Sequence, residues 1–174
     1  DESHGDVIVW PLKVVTDYLL ATHDNGILDE KLPYMSSAEH KTTEDTASLR
    51  EHLNKQIAYI ENHFLYDTKV SAYGDGDWDD TLQPADPRQK ETMASTWTEE
   101  LTIETFNKAA LVFSKETDLA GHCALLASAM MSDFVKYFMQ SETLPGFIQM
   151  TPDHQIEQLI YPGDKKTRID YRLL

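Results

Sequence analysis

The stretch LREHLNKQIAYIENHF, residues 49–64, carries the clearest structural signal in this sequence. Its charged side chains Glu51, Lys55 and Glu61 lie on other faces of a helix than its apolar ones. Thr43 or Thr46 is the predicted cap at the start of this helix. A spacing of three or four residues between apolar positions is typical of an amphipathic helix packed on a core, and the positions concerned are Leu49, Leu53, Ile57, Ile60 and Phe64.

Toward the N-terminus, apolar residues again recur at helical spacing as far as about Thr22. Pro11 has no backbone N–H to donate, so this helix is predicted to begin near Trp10. The polar segment 36–43, between the two helical patterns, is predicted to be a loop.

Two longer helices are predicted after residue 85. Asp86 and Pro87 have the form of an N-cap followed by a proline at the first helical position, and the helix is expected to continue to about Glu116. Asp118 is the predicted cap of the next helix, 120–139. The side chains expected inside are Trp97, Leu101, Ala109 and Phe113 from the first helix, and Leu125, Ala129, Phe134 and Phe138 from the second.

The last part of the chain changes character. Segments 147–150 and 156–161 are short, rich in apolar residues and separated by a turn sequence around Pro152, which predicts a small β-hairpin. The sequence therefore predicts a mainly α-helical fold with a β-hairpin near the C-terminus.

The composition bounds the possible partners. With 41% hydrophobic residues, the 174-residue chain has enough apolar material for a packed core. Its 30 acidic and 15 basic residues give a net charge of −15, which would repel nucleic acids and anionic membranes and favours a neutral substrate. Cys123 is the single cysteine, is expected in the core, and suits a reducing compartment such as the cytoplasm.

The stretch Gly74-Asp75-Gly76-Asp77-Trp78-Asp79-Asp80, named the acidic loop below, is where chemistry is expected. Glycines permit a tight turn, and crowded carboxylates beside an indole raise a carboxyl pKa. A solvated acidic loop is the alternative, but such a loop has no use for the indole of Trp78.

Other site chemistries are weaker in this sequence. Asp75, Asp77, Asp79 and Asp86 match positions 1, 3, 5 and 12 of a calcium loop, although the glycine and glutamate that such a loop needs are absent. The seven histidines show no spacing typical of metal ligands, so no metal site is predicted.

The acidic loop resembles the Gly-Asp-Trp-Asn-Asp signature of glycoside hydrolase family 94, the inverting β-glucoside phosphorylases related to cellobiose phosphorylase. Asp79 stands where better-known members have Asn, and Thr81-Leu82 replaces their Gly-Met, as in the branch that includes 1,2-β-oligoglucan phosphorylases. Further similarity lies in Ser3-His4-Gly5-Asp6, Trp10-Pro11-Leu12, Leu28-Asp29-Glu30, Tyr34 and Tyr171-Arg172-Leu173-Leu174.

This resemblance implies part of an (α/α)6 toroid with the active site at the mouth of the helix ring. It makes Asp80 the general acid and Trp78 a neighbour of the bound sugar. Asp77 and Asp79 would lie at the same substrate site and set the pKa and orientation of Asp80. The implied partners are a β-glucan oligosaccharide or disaccharide and inorganic phosphate as co-substrate, with no cofactor. A homodimer of the parent protein is a further expectation.

Residues 1–174 are expected to be one segment of a single catalytic domain, incomplete at both ends and inactive without the remainder of that domain. The family's sugar-binding Arg-Asp motif and its phosphate-binding His and Thr-Gly are absent from the sequence. Two alternatives stay open: an inverting hydrolase that uses Glu99 or Glu104 as its base, and a non-catalytic helical module that binds calcium or sugar.

Overall fold

A computed structural model describes residues 5–36, 38–78, 83–84, 86–114 and 116–166. Four helices dominate it, which confirms the mainly helical prediction. The helices are α1 (Trp10–Thr22), α2 (Leu49–Glu61), α3 (Thr96–Val112) and α4 (Thr117–Tyr137). The strands are β1 (Lys31–Ser36), β2 (Lys41–Ser48), β3 (Met93–Ser95), β4 (Phe147–Met150) and β5 (Ile156–Leu159), and short 3₁₀ helices span Asn25–Asp29 and Pro87–Glu91.

Helices α1 and α3 lie side by side and run in the same direction. Gly5, just before α1, and Ser95, which caps α3, both hydrogen-bond to the 74–78 segment. Further along the two helices, Nζ of Lys108 lies 2.8 Å from Oδ1 of Asp17. Both helices therefore begin at the acidic loop and lead away from it.

Helices α2 and α4 return toward that loop. At the far end, Arg50 in the first turn of α2 pairs with Glu116, immediately before α4. At the near end, α2 leads into segment 62–73, and α4 ends beside β5, where Gln158 donates to the carbonyl oxygen of Phe138 at 3.2 Å. Two helices leading away and two returning is the layout expected for part of an (α/α) toroid; the closed ring stays a prediction.

A continuous apolar core joins all four helices. Leu53, Ile57 and Ile60 are buried, as the periodicity of α2 predicts, and Cys123 is fully buried. Burying a leucine or isoleucine side chain stabilises a fold by about 1.5–3 kcal/mol. Leu125 contradicts the prediction, since it is 73% exposed and the adjacent Leu126 is buried instead. Neighbours on a helix point about 100° apart, so a shift of one residue exchanges inside for outside.

The predicted loop 36–43 is too long: residues 38–40 form a turn, but Ser36 belongs to β1 and residues 41–43 belong to β2. The predicted caps of α2, Thr43 and Thr46, are wrong, because both lie in β2. Strands β1 and β2 form an antiparallel ribbon, in which Lys31 pairs with Ser48. Ser48 ends the ribbon and caps α2: its hydroxyl accepts from the N–H of Glu51, whose carboxylate accepts from the N–H of Ser48 at 2.7 Å. This reciprocal capping box satisfies two otherwise unpaired donors.

The predicted helix from Asp86 to Glu116 is also wrong at its start. Asp86 does cap a helix with Pro87 at its first position, but this is the short 3₁₀ helix. Strand β3 follows and pairs with β4, so α3 begins only at Thr96. Similarly, α4 is preceded by Glu116, and Asp118 lies in its first turn. Pairing with a distant strand overrides local helical propensity at residues 93–95.

The predicted C-terminal hairpin is confirmed, although its second strand ends at Leu159, two residues before the predicted end. Strands β4 and β5 pair antiparallel, from Phe147 opposite Leu159 to Met150 opposite Ile156. Since β3 pairs with β4 as well, the hairpin belongs to a three-stranded sheet beside the start of α3. None of the helices in the described ranges is both long and apolar enough to span a lipid bilayer.

Candidate active site

The described part of the acidic loop, residues 74–78, rests on the segment that enters α1. The N–H of Gly5 donates to the carbonyl oxygens of Tyr73 at 3.1 Å and Gly76 at 2.8 Å. A Cβ atom at position 5 would lie 2.9 Å from the oxygen of Tyr73, so only glycine permits this approach. Gly74 and Gly76 have φ of 63° and 150°, as the prediction of a glycine-dependent turn requires.

Asp77 fastens the loop to α3. Its side chain is 3% exposed, and its Oδ2 accepts a hydrogen bond from the hydroxyl of Ser95. The Ser95 oxygen in turn accepts from the N–H of Thr98 at 3.4 Å and caps the helix. The N-terminus of a helix favours a negative charge, so this is a stabilising place for a buried carboxylate.

Trp78 points outward next to Asp77. Its side chain is 51% exposed, and its ring centroid lies 5.9 Å from that of Trp97, with the planes inclined by 57°. Trp97 is half-buried rather than a core residue, which corrects its predicted place. Its indole nitrogen is buried and has no hydrogen-bond partner in the described part of the chain. The two indoles form an aromatic surface beside the start of α3.

Other residues on which the predictions depend lie outside the described residues. These are the predicted acid Asp80, its neighbour Asp79, the Thr81-Leu82 variant and the terminal segments 1–4 and 167–174. Their roles therefore remain predictions. Of the predicted site, the structure brings together Asp77, Trp78 and the chain entering α1.

A cleft of about 420 Å³ opens beside the acidic loop, and sequence reasoning missed it. Across it, Nζ of Lys90 lies 3.6 Å from Oδ1 of Asp75. Residues near the start of α1, near the end of α2, in the acidic loop and in the second 3₁₀ helix line the cleft. Because these segments are far apart in the sequence, no local motif predicts it. Its lining residues are Gly5, Ile8, His63, Ala72, Gly74, Asp75, Pro87, Lys90 and Glu91.

The two proposed hydrolase bases, Glu99 and Glu104, are both engaged by other groups. Glu99 is 1% exposed, and its Oε1 accepts from the backbone N–H of Ser71. Burial raises the pKa of Glu99 to about 8, because water no longer stabilises its charged form. Glu104 lies further along α3 and pairs with Lys108 at 2.7 Å.

The described carboxylates of the calcium alternative have separate partners. Asp75 faces Lys90, Asp77 accepts from Ser95, and Asp86 forms an ion pair with Arg88 at 2.7 Å. Within the described ranges, no three His, Cys, Asp or Glu side chains are grouped closely enough to hold a metal ion. The observed geometry thus gives no support to calcium binding by these three residues.

Comparison with known proteins shows that this chain is similar to a member of one class of enzymes, the phosphorylases. No protein-family model matches the chain, so membership of glycoside hydrolase family 94 stays a prediction. Over 175 aligned residues, which cover the whole chain, it is 41% identical to a 1,2-beta-oligoglucan phosphorylase of Listeria innocua serovar 6a. The chain spans 16% of the length of that protein. It is therefore similar to a segment of a phosphorylase.

Proposed function

We propose that this chain is a segment of an inverting glycoside phosphorylase that transfers a glucosyl unit from a β-linked oligosaccharide or disaccharide to phosphate. The observation that carries this proposal is the 41% identity over the entire chain to a 1,2-beta-oligoglucan phosphorylase. The geometry supports it, because an exposed tryptophan and a glycine-rich acidic loop lie where α1 and α3 begin.

The proposed reaction needs one carboxylic acid from this segment. Asp80 donates its proton to the glycosidic oxygen while the bond between that oxygen and the anomeric carbon breaks. A phosphate oxygen forms the new bond to the same carbon from the opposite face, so the products are a sugar 1-phosphate and a shortened glucan. An inverting hydrolase needs a second carboxylate to activate water, whereas phosphate is itself the nucleophile.

The neighbours of Asp80 have supporting roles in this proposal. Trp78 packs against the reacting glucosyl unit with its exposed ring. Asp77, buried and bonded to Ser95, holds the loop at the start of α3 and acts on the sugar through the position of the loop. Asp79 adds a second negative charge beside the acid and keeps the pKa of Asp80 raised.

The wider setting belongs to the same proposal. The net charge of −15 favours a neutral glucan over nucleic acid or an anionic membrane. We place the parent protein in the cytoplasm, where the remainder of its catalytic domain supplies the phosphate-binding groups, and we expect it to form a homodimer. Catalysis by this chemistry requires no metal or organic cofactor.

The test is phosphate-dependent release of sugar 1-phosphate from β-glucan oligosaccharides by the full-length protein. We expect product only when phosphate is present. Release of free glucose at the same rate without phosphate would establish the hydrolase instead. Calcium-dependent sugar binding without turnover would establish the non-catalytic module.

A further inference from the structure

The cleft beside the acidic loop has the size and lining of a ligand site. Its volume of about 420 Å³ lies within the range of roughly 300–1,000 Å³ that is usual for small-molecule pockets. We propose that it binds a glucosyl unit of the oligosaccharide distant from the bond that is cleaved, and so makes affinity depend on substrate length. This inference rests on the proposed function and names a subsite for its substrate.

The lining of the cleft suits an uncharged sugar. Ile8 and Pro87 offer apolar surface to the face of a pyranose ring, while Lys90, Glu91 and His63 offer polar groups to its hydroxyls. Cationic and anionic side chains both line the cleft, so it favours neither an anion nor a cation. Orientation by a few polar groups on an otherwise apolar surface is the usual arrangement of such sites.

His63 is held in a fixed orientation at this cleft. Its Nδ1 donates to the carbonyl oxygen of Tyr59 at 2.7 Å, and its ring stacks on that of Tyr59 with 3.9 Å between centroids. In the neutral tautomer set by this bond, Nε2 is an acceptor. A sugar hydroxyl is a matching donor.

Lys90 supplies a donor across the cleft. Its Nζ lies 3.6 Å from Oδ1 of Asp75, a separation longer than a normal hydrogen bond. Both side chains are partly exposed, at 29% and 40%, and such pairs stabilise a protein by at most about 1 kcal/mol. Sugar hydroxyls can therefore replace this contact at little cost.

The position of the cleft connects it to the proposed reaction. Gly74 and Asp75 belong to its wall and lie in the same short loop as Trp78. The hydrogen bonds of Gly5 to Tyr73 and Gly76 fix this wall against the start of α1. One oligosaccharide is thereby expected to contact the loop at Trp78 with its reacting unit and the cleft with a more distant unit.

The experiment compares substrates of increasing length in the full-length protein. Lys90→Met and His63→Phe each remove a polar group from the cleft. Arg88→Met is the matched control, because Arg88 lies on the same 3₁₀ helix, is 88% exposed and does not line the cleft. For the cleft variants, we expect the ratio of KM for a tetrasaccharide to KM for a disaccharide to rise about three- to tenfold, the range for one lost hydrogen bond. The control variant should leave this ratio unchanged.

Isothermal titration with a β-glucan tetrasaccharide, without phosphate, measures binding independently of turnover. A weaker Kd in both cleft variants but not in Arg88→Met supports the subsite even if no phosphorolysis occurs, in which case the proposed function alone fails. If both the Kd and the KM ratio are unchanged in the cleft variants, the subsite proposal is overturned. Phosphorolysis by the wild-type protein would then still support the proposed function. Equal losses in the control would also overturn it, because they would show a general effect of charge.

Discussion

The carboxylate of Asp77 accepts a hydrogen bond from the hydroxyl of Ser95, and the same hydroxyl oxygen caps helix α3. One side chain thus connects the acidic loop to the helix that begins beside it. Asp77 is buried, so removing its partner leaves a carboxylate away from water without this donor.

Ser95→Ala should therefore disturb both stability and activity. Loss of an N-cap costs about 0.5–2 kcal/mol, and the loss of the Ser95 hydroxyl as a donor to the buried carboxylate of Asp77 adds to this. Ser48→Ala is the matched control, since Ser48 caps α2 and its side chain bonds to Glu51 of the same helix. Thermal unfolding and phosphorolysis assays of both variants are the measurements. We expect both to lower Tm and Ser95→Ala alone to lower turnover; equal turnover in both would show that the contact is only structural.

Asp80→Asn tests the proton donor. General acid catalysis contributes about 10²- to 10⁴-fold, so kcat should fall by that factor while the protein stays folded. Asp86→Asn is a control in the same acidic region, where the carboxylate pairs with Arg88 at the surface. Steady-state phosphorolysis and circular dichroism are the measurements. A well-folded Asp80→Asn protein with near-normal turnover would remove Asp80 from the role of acid.

Trp78→Ala separates sugar binding from structural packing. Truncating a buried tryptophan costs about 3–5 kcal/mol, but Trp78 is 51% exposed, so we expect a smaller loss of stability and a clear rise in the Kd for glucan. Denaturant unfolding and titration with oligosaccharide measure the two effects. A large stability loss with unchanged sugar affinity would show that the ring holds the loop and does not contact substrate.

Glu99 predicts a pH dependence of stability. Its pKa is about 8 in the fold, against 4.5 for an ordinary glutamate, so the unfolded chain releases this proton first. The free energy of unfolding should therefore fall as pH rises from about 4.5 to about 8, and then level off. Each unit of pKa difference corresponds to about 1.4 kcal/mol, which limits the total effect to a few kcal/mol.

Glu99→Gln should remove this slope and stabilise the protein at neutral pH, because the amide keeps an acceptor for the N–H of Ser71 without a charge. Glu104→Gln, on the same helix but exposed and paired with Lys108, is the control and should keep the slope. Urea unfolding at a series of pH values measures both. An identical slope in wild type and Glu99→Gln would show that Glu99 ionises normally.

Some features were predictable from sequence because their signals are local. The buried apolar face of α2 was predictable from the three- and four-residue spacing of its apolar residues. The acidic loop was predictable from the glycines and carboxylates of residues 74–80. The β1–β2 ribbon was not predictable, because β2 is mostly polar and the residues of both strands, which are mostly exposed, lack the apolar-polar alternation of a half-buried strand. Strand β3 exists only by pairing with β4, far along the chain.

The candidate site also has parts that could be predicted from the sequence and parts that could not. The sequence indicated Trp78 because an indole is unusual in a solvated loop. Its contact with Trp97 could not be predicted, because it depends on where α3 begins. The cleft gathers His63 and Lys90 from separate segments, and neither residue stands in a recognisable motif. Contacts between segments that are far apart in the sequence produce no recognisable spacing of residue types.

The last prediction concerns the apolar surface of the 174-residue chain by itself. Val14 on α1 and Val135 on α4 are 62% and 52% exposed. Val7 and Trp10 are further exposed apolar residues near the start of α1, Leu125 and Met131 lie on α4 as well, and Met139 lies just after it. Contiguous exposed apolar patches beyond a few hundred Å² usually mark a contact with another protein surface.

We therefore expect the isolated chain to self-associate and to lack phosphorolytic activity. Sedimentation over a dilution series should show that Val14→Lys with Val135→Lys reduces association, while Ser128→Lys, at an exposed polar position of α4, does not. A monomeric wild-type chain that melts cooperatively and releases sugar 1-phosphate would contradict this prediction.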